Sequence, residues 1–139
     1  MKKAALFFAL TALIVFSLNG SGCMMAARRQ KAETAFDRLA ARSPDQIAGF
    51  LDNHLSAKLG LTSAQLPRVY AIDLDYAIKV QAAAASNEGT LSKARTMEKA
   101  NDAHTADLKE VLTADQFARF LTMKEELRTA LEDGAGHGK

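Results

Sequence analysis

The side chains best suited to chemistry are three histidines and one cysteine, and they are scattered along the chain. His54, His104, His137 and Cys23 show no HxxxH, CxxC or similar spacing that would place two metal ligands on one element. The sequence also lacks a glycine-rich phosphate loop, a GxSxG elbow and an HExxH motif. We therefore expect no catalytic residue, no cofactor and no metal site within one chain, and no enzymatic activity. The alternative is a metal site whose ligands come from two subunits.

An apolar segment near the N-terminus indicates export. Lys2 and Lys3 precede the uncharged stretch 4–18, and the small residues 19–22 follow it. A basic start, an apolar centre and a small-residue exit are typical of a secretory signal peptide. The stretch is shorter than the roughly 20 apolar residues of a membrane-spanning helix. We expect residues 1–22 to be a signal peptide and the mature protein to be periplasmic.

Cys23 is the only cysteine, so it cannot form a disulfide within the chain. Its position after Gly20-Ser21-Gly22 resembles the lipidation site of a bacterial lipoprotein, although Gly20 stands where such sites usually have leucine. Lipidation of Cys23 would anchor the protein to the outer membrane. The alternative is cleavage by ordinary signal peptidase near the same glycines, which gives a soluble secreted protein.

The charge balance argues against nucleic acid as a partner. Loss of residues 1–22 removes two lysines, so the mature chain carries 16 basic residues (18 − 2) and 16 acidic ones. A neutral chain with interspersed signs lacks the basic surface that attracts phosphate backbones. The remaining length of about 115 residues fits one small domain.

Helical periodicity runs through the mature chain and predicts an all-α fold with a single small domain of four to five helices. We expect an N-terminal helical arm over 23–42, a helical domain over 43–133 and a flexible tail over 134–139. Ser43, Pro44 and Gln46 form a helix start, and Gly60 a helix end. The helices are expected at about 25–41, 44–59, 63–85, 91–111 and 114–132.

The short sequence Leu-Thr-x-x-Gln occurs twice. In each copy the threonine lies at the expected N-cap and the glutamine three residues later, which is the spacing of a capping box. A cap of this kind contributes about 1 kcal/mol. From the residues alone, the repeat is interpreted as two helix starts. The motif residues are Leu61, Thr62 and Gln65 in the first copy and Leu112, Thr113 and Gln116 in the second.

Two such motifs in a small, exported, helical chain resemble the Spy/CpxP-like family of bacterial periplasmic proteins. The resemblance covers about residues 43–128 and includes "SPDQ", "LGLTSAQ" followed by "YAIDLDYA", and "LKEVLTADQFARFLTMKEE". It implies a cradle-shaped helical dimer that holds unfolded proteins or reports on envelope stress. Asp73 departs from the pattern, because relatives often carry asparagine there. The basic concave face of some relatives is not evident either.

The expected third helix is apolar over about two-thirds of its circumference, which is wider than an ordinary amphipathic stripe. Only Arg68, Asp75 and Lys79 form a polar strip on it. A small helical monomer has little means of burying so wide a surface, so we expect a dimer contact or a client-binding face. The alternative is a central core helix. Candidates for the dimer or client face are Tyr70, Leu74 and Ile78, together with Met97 and Met123.

Three polar residues fall where apolar ones are expected. Asp73 lies within the apolar face of the third helix, so it must be paired, hydrogen-bonded or protonated. We interpret it as a residue that fixes helix register. Asn101 and His104 occupy positions on the fourth helix where a tight bundle would hold leucine. They either specify register or line a water-accessible groove.

These features predict a periplasmic, ATP-independent holdase chaperone of the Spy/CpxP type. It would act as a homodimer and shield apolar segments of unfolded or misfolded envelope proteins during stress. The alternative is a regulatory partner of an envelope-stress or metal-sensing signalling system, which would bind a sensor protein.

Overall fold

The computed structural model describes residues 24–133 of the 139-residue chain. The expected signal peptide, Cys23, His137 and the expected tail lie outside the described residues. The chain forms two compact units, Met1–Glu33 and Thr34–Lys139. Within residues 24–133 there are five helices and no strand, which confirms the all-α prediction.

The helices are joined by connections of a few residues. From Thr34 onward, α3 packs against both α2 and α4, and α5 packs against α2 and touches α4. None of the helices within residues 24–133 combines the length and the apolar character needed to cross a bilayer. The bounds are residues 24–40 for α1, Pro44–Leu59 for α2, Leu66–Ala85 for α3, Thr90–Val111 for α4 and Ala114–Asp133 for α5.

The start of α2 has the geometry that its sequence predicts. Ser43 Oγ accepts a hydrogen bond from Gln46 N at 3.2 Å, and Ser43 N donates to Gln46 Oε1 at 3.0 Å. Pro44 occupies the first helical turn, where its missing N–H has no cost. Gly60 ends the helix with φ of 63°, in the left-handed region that only glycine adopts easily.

The helix α3 begins three residues later than the sequence suggests. Residues 63–65 form a turn in which Gln65 N and Leu66 N both donate to Thr62 O, at 3.0 and 3.1 Å. Pro67 has no N–H, so it cannot bond to Ser63 O and extend the helical ladder to that residue. The regular ladder therefore starts at Leu66.

Aliphatic and aromatic side chains from four helices form the core of the unit that starts at Thr34. Burial of one such side chain stabilises the fold by about 1.5–3 kcal/mol. From α1, Phe36 and Leu39 also belong to this core. The most completely buried residues of the other helices are Ile47, Leu55, Leu59, Val69, Val80, Leu108 and Phe120.

Two arginines near the end of α1 bind the carbonyl end of α5. Arg38 Nη1 donates to Asp133 O at 3.4 Å, and the buried Arg42 Nη1 donates to Leu131 O at 3.5 Å. The carbonyl end of a helix carries partial negative charge, so cations are favourable there. These contacts bring the two ends of the helical unit together.

Candidate functional site

The two Leu-Thr-x-x-Gln motifs meet in space through their glutamines. Gln65 Nε2 donates to Gln116 Oε1 at 2.8 Å, and Gln116 Nε2 donates to Gln65 Oε1 at 3.1 Å. The two side-chain amides therefore form a reciprocal pair between residues 51 positions apart. We call this pair the glutamine clasp.

Gln116 also closes the start of α5, whereas Gln65 closes the turn that precedes α3, so that Gln65 and not Thr62 is the N-cap of that helix. Gln65 Oε1 accepts from Thr62 N at 3.0 Å, and Gln116 Oε1 accepts from Thr113 N at 3.0 Å. The threonine hydroxyls accept in return from the glutamine backbone N–H groups, at 3.3 and 3.2 Å. Both motifs thus show the reciprocal hydrogen bonds of a capping box.

The remaining amide hydrogens of the clasp bind helix ends. Gln65 Nε2 donates to Val111 O at 3.0 Å, at the end of α4. Gln116 Nε2 lies 3.3 Å from Gly60 O and 3.4 Å from Leu59 O, at the end of α2. Each motif therefore stabilises the helix that precedes the other one. The sequence repeat signals the caps, but nothing in its spacing signals that the motifs meet.

A buried contact between an aspartate and a histidine connects α3 to α4. Asp73 Oδ1 lies 2.7 Å from His104 Nε2, and the two residues are 0% and 5% exposed. The His104 ring lies against Tyr76, with centroids 4.6 Å apart, and meets Phe120 edge-on at 6.1 Å. His104 is therefore part of the core and does not line a water-accessible groove. Asp73 has the partner that its apolar surroundings require.

Two carboxylate oxygens near this pair are buried without a hydrogen-bond partner among the described residues, Asp73 Oδ2 and Asp52 Oδ1. Burial raises the pKa of Asp73, and the charge of Asp52 on α2 raises it further, while the hydrogen bond and charge of His104 lower it. The net effect is a raised pKa. Burial also raises the pKa of Tyr76 to about 12, so its hydroxyl stays protonated at neutral pH.

The raised pKa of Asp73 predicts a specific pH dependence of stability. A folded state that binds this proton more tightly than the unfolded state gains stability below the ordinary carboxyl pKa of 3.8. That contribution is lost as the pH rises through the raised folded-state pKa. Urea unfolding of wild type and Asp73→Asn, from pH 4 to 7, should show the wild type losing stability relative to the variant. Parallel pH profiles of the two proteins would contradict the prediction.

The candidate interaction residues on α3 are only partly covered. Tyr70 is 37% exposed and Ile78 is 51% exposed, while Leu74 between them is half-buried. Their spacing of four residues places the three side chains on one face of the helix, which we call the α3 apolar strip. The core residues Val69, Tyr76, Ala77 and Val80 lie on an adjoining side of α3.

The other two candidates lie on different helices and are less exposed. Met97 on α4 and Met123 on α5 are both half-buried. They offer less accessible surface than Ile78. Asp75 and Lys79, which form an ion pair at 2.5 Å, are exposed and give α3 a polar side next to the strip.

Both histidines within the described residues, His54 and His104, contact other protein groups. His54 Nδ1 donates to Phe50 O at 2.8 Å, and its ring centroid lies 4.2 Å from that of Phe50. Across residues 24–133, no three side chains of His, Cys, Asp or Glu lie close enough together to hold a metal ion.

A family model described as "Domain of unknown function (DUF4890)" matches residues 26–120, which is more than half of the chain. The chain belongs to this DUF4890 family. The matched region contains the glutamine clasp, the Asp73–His104 pair and the α3 apolar strip. No curated protein matches the chain, and no solved structure does.

Proposed function

We propose that this DUF4890 protein is an exported, non-enzymatic holdase that reversibly shields apolar segments of unfolded envelope proteins. The observation that carries the proposal is the α3 apolar strip. Tyr70 and Ile78 expose a substantial part of their apolar surface on a helix whose other side is fixed in the core. Exposed apolar residues that follow one another on a rigid face are typical of a protein-binding surface.

The surroundings of the strip suit reversible binding. The ion pair between Asp75 and Lys79 keeps one side of α3 hydrated, so an apolar segment can cover the strip without desolvating these charges. The buried Asp73–His104 contact fixes α3 against α4 from the other side. A preordered surface of small area favours modest affinity for many apolar sequences.

The resemblance to the Spy/CpxP-like family supports the same proposal. It depends on the two Leu-Thr-x-x-Gln motifs, on "SPDQ" and on the small helical chain that follows the predicted signal peptide. We propose that the protein is periplasmic and forms a homodimer, in which the α3 apolar strip contributes to the subunit contact or to the client face. Light scattering over a range of concentrations measures the subunit number.

Ile78→Glu should abolish protection in an aggregation assay with an unrelated unfolding client. Ile78 is the best position for this test, because its exposure means that a charge there should hardly affect folding. Leu74 is half-buried, so a charge at that position would mix loss of binding with loss of stability. Lys79→Gln is the matched control, since it changes the neighbouring polar side and should leave protection unchanged.

The outcomes separate the holdase from the regulatory alternative. Protection by the wild type and by Lys79→Gln, but not by Ile78→Glu, supports the holdase. Absence of protection by the wild type, together with tight binding to a single sensor domain, supports a regulatory partner. Equal protection by all three proteins shows that the α3 apolar strip is not the client face.

A further inference from the structure

Residues 24–33 carry exposed methionines next to a group of cations. Met24 is 70% exposed and Met25 is 77% exposed, although methionine is among the residues most often buried. Arg28, Arg29 and Lys31 follow within the next two turns, and all three are exposed.

The helical geometry places these residues on one side. At 3.6 residues per turn, Met24, Met25 and Arg28 lie within about 100° of one another, and Lys31 and Arg29 lie at the two edges of this sector. Cations within and beside an exposed apolar sector suit a membrane surface, because a long arginine or lysine side chain can extend its charge to the head groups while its stem stays with the apolar side chains. We call these five residues the basic methionine face. The opposite side of this segment carries Ala26, Ala27, Gln30 and Glu33.

The charge of the chain is divided between this segment and the rest. Residues 24–33 contain three cations and one acid, whereas residues 34–139 contain 13 basic and 15 acidic side chains. Arg29 forms an ion pair with Glu33 at 3.1 Å. The side chains of Arg28 and Lys31 make no hydrogen bond or ion pair within residues 24–133, so their charges are available to a partner.

We propose that the basic methionine face binds the surface of a membrane that contains anionic phospholipids. The cations would contact lipid phosphates, and the two methionines would enter the boundary between head groups and acyl chains. Residues 34–139 have a net negative charge, so an anionic membrane repels them. The contact is therefore expected at residues 24–33. The uncharged stretch 4–18 and Cys23 precede the face directly in the sequence. The inference does not depend on the proposed holdase function.

Each cation near an anionic membrane strengthens the association by about fivefold. Arg28→Gln/Lys31→Gln removes the two cations that have no partner and keeps the Arg29–Glu33 ion pair. The population of the surface-bound state should therefore fall by roughly 25-fold relative to the free state. Lys99→Gln/Lys109→Gln on α4 is the matched control, because it removes two exposed lysines elsewhere in the chain.

The experiment uses the full chain in vesicles with bromine-labelled acyl chains. In a Cys23→Ser background, one thiol for a fluorophore is introduced by Met25→Cys on the face or by Ala27→Cys on the opposite side. In vesicles of phosphatidylcholine with phosphatidylglycerol, the label at position 25 should be quenched more than the label at 27. The difference in quenching should vanish in vesicles of pure phosphatidylcholine and in the variant Arg28→Gln/Lys31→Gln. It should also vanish in about 1 M salt, where charges are screened within about 3 Å.

Two results would overturn the inference. Quenching at position 25 that is the same with and without phosphatidylglycerol would show that anionic lipid is not recognised. An equal loss of quenching in Lys99→Gln/Lys109→Gln would show that total charge, and not this face, controls the contact. Circular dichroism of each variant establishes that its helices are intact.

Discussion

Replacement of His104 by leucine should lower the free energy of unfolding by about 3–5 kcal/mol, which is the usual cost of leaving a buried carboxylate without its partner. Leucine fills much of the space between Tyr76 and Phe120 but leaves Asp73 at 0% exposure with neither oxygen hydrogen-bonded. The carboxyl group must then take up a proton or open the α3–α4 contact. Urea unfolding at pH 7 measures the loss.

A second substitution distinguishes an isolated charge from a packing defect. Adding Asp73→Leu to His104→Leu removes the uncompensated carboxylate, so the double variant should recover most of the lost stability. If the double variant is less stable than His104→Leu alone, the loss comes from packing around the histidine ring, and the charge interpretation is wrong.

Gln116→Leu should lower the free energy of unfolding by about 2–4 kcal/mol, because several partly buried hydrogen bonds are lost at once. Gln116 is 7% exposed. Its loss leaves Thr113 N and Gly60 O without the hydrogen bonds described above, and it leaves Gln65 without its reciprocal amide. Thermal or chemical unfolding, followed by circular dichroism, gives the size of the effect.

Two controls separate the clasp from an ordinary helix cap. Thr113→Ala removes only the hydroxyl cap and should cost about 1 kcal/mol. Gln65→Leu/Gln116→Leu should cost less than the sum of its single variants, with a coupling of about 0.5–3 kcal/mol, because both substitutions break the same amide pair. Strict additivity would mean that the amide pair between the two glutamines contributes nothing to stability.

Local features of the fold could be predicted because they depend on residues close in sequence. Ser43, Pro44 and Gln46 define the start of α2, and Gly60 defines its end through its left-handed conformation. The late start of α3 was missed, although Pro67 was the signal for it. A proline is compatible with the first turn of a helix, but it has no N–H to bond to the carbonyl four residues earlier. The helix therefore cannot start as early as Ser63.

Pairings between distant residues could not be predicted in the same way. The position of Asp73 in an apolar face indicated that it needs a partner, yet His104 lies 31 residues away on another helix. Which residues meet depends on the relative axial shift of α3 and α4, which the packing of the whole core decides. For the same reason, the pairing of Gln65 with Gln116 could not be derived from two identical motifs.

The wide apolar surface of α3 is only partly buried in the structure. Val69 and Val80 belong to the core, as a central helix requires, while Ile78 stays exposed. Sequence periodicity reports how wide an apolar face is, but not how much of it the neighbouring helices reach. The exposed part can be identified only once these neighbours are placed.

The contact between Arg38 and the carbonyl of Asp133 has a consequence for chain connectivity. Because Arg38 lies about one helical turn after Thr34, the start of the unit is close to the end of α5, and a short linker could join the two. New termini could then be opened in the exposed connection at Asn87 and Glu88, between α3 and α4. Such a circular permutant of the unit would keep α2 to α5 and both glutamines in place, while the chain would begin at α4 and finish at α3.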